Sequence, residues 1–99
     1  MSYRVRYTAS ALADLERLYD FLVVQDVHAA ERALDAIRKA AQLLEAFPFT
    51  CRKIEDGGPF KRELIISFGS SGYVALFEIE DDKTVTILAL RHQREDDYY

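Results

Sequence analysis

A single cysteine among 99 residues cannot close an intrachain disulfide, and with only two histidines no Cys/His set has metal-ligand spacing. A reducing compartment is therefore expected, with no metal and no cofactor. Four glycines and two prolines are too few for a linker-rich array, and tryptophan is absent. No uninterrupted apolar run approaches the ~20 residues that a membrane-spanning helix needs. The segment 1–6 has no apolar signal core, so the expected location is cytoplasmic, with no membrane partner. A surplus of base is missing too: Lys and Arg number 13 against 17 Asp and Glu, for a formal net charge of -4. Such a chain repels a polyanion as a whole, so direct sequence-specific nucleic-acid binding is not expected. Any phosphate contact must come from a local basic cluster.

What is present is a chain that is 49% hydrophobic and 30% charged, enough for one domain over residues 1–99 with a single core. Tyr3, Val5 and Tyr7 alternate with Arg4 and Arg6, the period-two pattern of a half-buried strand over 2–7. Thr8 or Ser10 then caps a helix whose stripe is Leu12, Leu15, Leu18, Tyr19 and Leu22, running to about Gln25. Asp26 caps a second helix carrying Ala30, Ala33, Leu34, Ile37, Ala41 and Leu44, which Phe47-Pro48 stops. The short connection makes an antiparallel helical hairpin. Ala29, Ala33, Ala36 and Ala40 form a seam for close helix approach, and Phe21 and Val24 are expected to contact it.

Residues 49–60 are irregular, with Gly57-Gly58-Pro59 as a breaker, and three strands follow over 62–68, 73–79 and 84–92. The continuous apolar run 85–90 predicts an interior strand covered on both sides. Strand, two helices and a three-stranded meander give an α+β fold, with the helices on one face of a single antiparallel sheet. Phe47, Phe49, Phe60, Tyr19 and Phe21 sit at helix ends or in the irregular segment. Each is expected to close an end of the core, and as a set they can meet a partner.

The element order, and above all Leu88-Ala89-Leu90-Arg91-His92-Gln93-Arg94-Glu95-Asp96, resembles the ParE/RelE superfamily of small bacterial toxins, closer to the ParE branch. Tyr3-Arg4-Val5, the helix start 8–15 and Phe60-Lys61-Arg62-Glu63-Leu64 add to the likeness, which covers essentially the whole chain. The resemblance implies the toxin of a type II toxin-antitoxin system, held in a hetero-oligomer by a ParD-like antitoxin. ParE-type members trap DNA gyrase on cleaved DNA, block replication, arrest growth and stabilise plasmids. RelE-type members cut messenger RNA on the ribosome, and a degenerate member binds its antitoxin without a target.

Metal-free RNA cleavage needs a base for the 2′-hydroxyl, a cation for the crowded phosphate and an acid for the leaving oxygen. If the chain is a nuclease, the candidates are Arg62, Arg91, His92 and Tyr99; His28 lies near a predicted helix start, and nothing in the sequence places it beside His92. The same end of the chain supplies the candidate target- and antitoxin-binding set of Arg62, Arg91, His92, Arg94, Tyr98 and Tyr99. The arginines either form a positive patch or pair with Glu63, Glu95 or Asp96. Alignment on Leu88-Ala89-Leu90 puts Gln93 where RelE-type nucleases carry a catalytic arginine, and reduces their lysine cluster to Arg52, Lys53 and Lys61. With acids in excess, these departures favour a non-enzymatic inhibitor of gyrase.

Overall fold

A computed structural model describes residues 2–95. The chain forms β1 (Arg4–Tyr7), α1 (Ala9–Val23), α2 (Val27–Leu43), a 3-10 turn (Pro48–Thr50), β2 (Arg52–Lys53), β3 (Lys61–Phe68), β4 (Ser71–Ile79) and β5 (Thr84–His92). Thr8 is the N-cap of α1, its hydroxyl accepting the Ala11 N–H at 3.0 Å, and Asp26 caps α2 by accepting from His28 and Ala29. Both helix starts are thus set by short polar side chains that satisfy otherwise orphan N–H groups.

The five strands make one sheet in the order β1-β5-β4-β3-β2. β3, β4 and β5 form the expected antiparallel meander, but β1 lies parallel to β5, with Val5 opposite Val85. The sheet is therefore mixed rather than wholly antiparallel. Apolar alternation is the same for either direction of pairing, which is why the sequence pattern alone did not distinguish them. β2 is a two-residue edge inside the segment read as irregular. At the β3–β4 turn Gly69 adopts φ +60, and a side chain at Gly72 would run into the Ile66 carbonyl.

The helices pack on one sheet face. Ala11, Leu18, Ala33, Ile37 and Leu44 meet Leu64, Ile66, Tyr73, Phe77, Ile87 and Leu90 there. β5 is interior to the sheet as expected, but among the described residues no helix covers its second face; Thr86 and Ala89 are buried there by neighbouring side chains. The core stripe of α1 is Ala11, Asp14 and Leu18, flanked by Leu15 and Leu22. Leu12 lies outside it and is exposed. Phe21 is 66% exposed and Val24 83%, so neither closes against the alanine seam as expected. The stripe passes through Leu22 in the last turn and leaves both pointing away.

The junction of α1 with β5 fixes the arrangement. The β4–β5 register jumps from Leu76 opposite Ala89 to Phe77 opposite Ile87, so Leu88 is a bulge. Past this point β1 has ended, and the β5 edge is taken over by α1 and its cap. Thr8 N–H donates to the Ile87 carbonyl (3.0 Å), Thr8 Oγ1 to the Leu88 carbonyl (3.1 Å), and the Leu90 N–H donates to Asp14 Oδ2 (3.0 Å). Asp14 is only 6% exposed, and its other oxygen lies 3.9 Å from Arg17. Removing this carboxylate strands a buried N–H, so Asp14→Ala is expected to cost about 3 kcal/mol and Asp14→Asn, which keeps an acceptor, distinctly less. Denaturant unfolding measures both; an Asp14→Ala variant as stable as wild type contradicts the assignment.

Candidate functional site

α1 and the end of β5 enclose a cleft of about 620 Å³ with the β3–β4 turn. Leu18, Phe21, Leu22, Phe68 and Tyr73 make its apolar wall; Arg17, Ser70, Ser71, His92, Arg94 and Glu95 make its polar rim. His92 is the pivot. Its Nδ1 accepts the Arg94 N–H at 3.1 Å, which leaves Nε2 to carry the proton of the neutral ring and donate to Ser71 Oγ, also at 3.1 Å. The ring stands edge-on to Tyr73, with centroids 5.6 Å apart.

The turn after β5 is tied down from both sides. Glu95 accepts the His92 N–H (2.7 Å) and pairs with Arg17 of α1 at 3.2 Å, while Arg91 donates to the Glu95 carbonyl at 2.7 Å. Arg94 is thereby presented on the rim by a closed turn.

The structure brings His92 and Arg94 together and separates the other candidates. Arg62 lies on the helix-facing side of β3, nearly buried, with its guanidinium donating to the carbonyls of Pro59, Phe49 and Cys51 at 2.9–3.0 Å. It staples the irregular segment to the sheet. Arg91 faces the opposite side of the sheet, where its second nitrogen lies 3.9 Å from Glu63, itself bound by Arg52 at 2.8 Å. The expected pairing of arginines with nearby carboxylates holds for Arg91 at Glu63, while at Glu95 it meets the backbone carbonyl; Arg62 pairs with carbonyls instead, because its strand position turns it away from Glu63. His28 is exposed at the start of α2. Tyr98 and Tyr99 lie outside the described residues. Among the described residues no cluster of three His, Cys, Asp or Glu side chains can hold a metal, and no helix is long and apolar enough to cross a membrane.

Sequence reasoning missed Arg17, Ser71 and Tyr73 as parts of this site. Arg17 meets Glu95 across 78 positions, and Ser71 meets His92 across a strand pair, so neither contact leaves a local signal.

Residues 5–97 match the model of the family described as the ParE toxin of the type II toxin-antitoxin system parDE. The chain belongs to the ParE toxin family. The toxin is 36% identical over 86 residues to Toxin RelE3 of Caulobacter vibrioides, spanning 86% of this chain and 88% of that one. Among solved structures it resembles the chromosomal ParDE toxin-antitoxin system from P. aeruginosa, with a TM-score of 0.74 at 23% identity over 92% of this chain and 96% of that one. It also resembles the toxin-antitoxin complex RelBE2 from Mycobacterium tuberculosis, with a TM-score of 0.66 at 25% identity over 94% and 100% of the two chains. The toxin is thus a type II toxin of the ParE/RelE superfamily, with the α+β fold of its neighbours.

Burial pushes the Tyr73 phenol above its ordinary value of 10.0; burial does the same to Tyr7, partly offset by Arg38. The native state then holds protons that the unfolded chain releases, so stability is fully present below pH 10 and is lost as pH rises through the raised values. The loss is at most about 1.4 kcal/mol per pH unit for each phenol. Chemical denaturation across alkaline pH is expected to show this fall, and Tyr73→Phe to remove the Tyr73 share; an unchanged alkaline slope in that variant contradicts it.

Proposed function

We propose that the toxin acts by binding DNA gyrase and blocking replication, and that a ParD-like antitoxin neutralises it by direct binding in a hetero-oligomer. The observation that carries this reading is the fate of the candidate chemical groups. Cleavage by 2′-hydroxyl attack needs a base, a cation and an acid converging on one phosphate. Arg62 and Arg91 are committed to opposite faces of the sheet, and both ring nitrogens of His92 are engaged. What faces outward instead is a cleft with a large exposed Phe21, apolar walls and a fixed polar rim, a surface suited to a protein partner. The excess of acid over base fits the same reading, since a protein target does not demand a surplus of Lys and Arg. The cytoplasm, where gyrase works, is the location that follows.

Membership of the ParE toxin family favours the branch for which the resemblance implies a gyrase target, and the toxin-antitoxin titles of the structural neighbours support the antitoxin. A second reading, ribosome-dependent cleavage of mRNA, draws on the 36% identity to a relative named RelE3 and on His92 standing beside Arg94 at the cleft. Purified toxin is expected to inhibit supercoiling or to accumulate gyrase-cleaved DNA, and to leave mRNA on translating ribosomes intact. Normal supercoiling together with codon-dependent mRNA cutting would replace the first reading by the second.

A further inference from the structure

A second surface lies at the far end of the sheet from the His92 cleft, where β4 ends and β3 begins. Tyr3, Phe49, Phe60 and Ile79 line a cavity of about 310 Å³ whose remaining wall is Glu80, Asp81 and Asp82. Phe49 and Phe60 meet edge to face with centroids 6.2 Å apart, yet they are 47% and 50% exposed, and Phe47 close by in sequence is 57% exposed. Phenylalanine is among the residues most often fully buried, so the half-exposed, mutually packed Phe49 and Phe60 form an apolar patch that water covers at a cost.

Arg62 fixes the backbone that carries Phe49 and Phe60. Arg62 binds the Phe49 and Pro59 carbonyls, the latter adjoining Phe60, and its guanidinium lies 5.2 Å from the centre of the Phe49 ring. The same staple that orders the segment thus fixes the backbone beneath both rings. Its polar wall is of one sign: none of the described residues lining the cavity is basic. Asp81 accepts the Lys83 N–H at 2.8 Å, and Glu80 bonds to Thr86 with Arg6 at 4.0 Å, both on the side away from the helices; Asp82 completes the rim.

We infer that this cavity docks a segment of the antitoxin in which a Lys or Arg adjoins an aromatic or long aliphatic side chain. The apolar side chain enters between Phe49, Phe60 and Tyr3, and the cation meets the Asp81–Asp82 rim, where it can also lie over a phenylalanine face. The charge of the rim favours the basic neighbour, because its three acids outnumber the two cations beside them, Arg6 at Glu80 and Lys83 at Asp81. This inference rests on the antitoxin reading proposed above.

The test is titration calorimetry of the full-length toxin with the antitoxin encoded beside it, at low and at high salt, using Asp82→Lys and Phe60→Ala. Asp82→Lys alters an exposed turn residue and leaves the fold alone. It is expected to weaken binding about tenfold at low salt, with the difference shrinking at high salt. Phe60→Ala is expected to weaken binding about thirtyfold at either salt concentration. If wild type binds and Asp82→Lys binds equally well at low salt, the docking site is overturned while the antitoxin reading stands. If wild type itself fails to bind, the antitoxin reading falls and the inference with it. Should Phe60→Ala lose its fold by circular dichroism, Asp82→Lys alone decides.

Discussion

The hydrogen bond from the Leu90 N–H to the buried Asp14 carboxylate is the constraint on which the rest of the molecule depends. β5 outlasts β1, so its edge beyond Ile87 would present unpaired backbone groups, and the bulge at Leu88 turns them out of the ladder. Thr8 and Asp14 answer those groups one by one, and in doing so they set both the start and the lie of α1. Arg17 follows Asp14 by three positions and Leu18 by four, which brings them to the wall opposite His92. The cleft exists because a helix, and not a sixth strand, closes the edge.

Four of the 13 basic side chains are spent on structure. Arg62 holds three carbonyls of the irregular segment, Arg52 and Arg91 share Glu63 across the open sheet face, and Arg17 ties the last turn to α1 through Glu95. The arginine bonds anchored to backbone carbonyls define where loops go. With a net charge of -4, the molecule as a whole repels a polyanion.

Much of this was legible in the sequence where the signal is local. Thr8 and Asp26 announce their helices because capping acts within three residues, and the strand runs 62–68, 73–79 and 84–92 show in their apolar patterning. The parallel seat of β1, the bulge at Leu88 and the two-residue β2 depend on partners elsewhere in the chain, and no short-range pattern encodes them. Asp14 did carry a signal: an acid between Ala11 and Leu18 on a core-facing stripe demands a buried partner. His92 and Arg94, singled out by the family likeness of the last strand, line the cleft, whereas Arg62 lies on the helix-facing side of β3 and is bonded to carbonyls. Leu64 and Ile66, on that same face, already pointed it toward the core.

The gyrase reading is tested most directly by binding. Titrating the toxin into intact gyrase, with wild type beside Phe21→Asp, places a charge on an exposed wall of the cleft without disturbing the core. Saturable binding by wild type that Phe21→Asp abolishes or weakens by at least about tenfold is the expected result. Absence of wild-type binding, or equal binding by Phe21→Asp, would contradict a gyrase inhibitor that acts through this cleft.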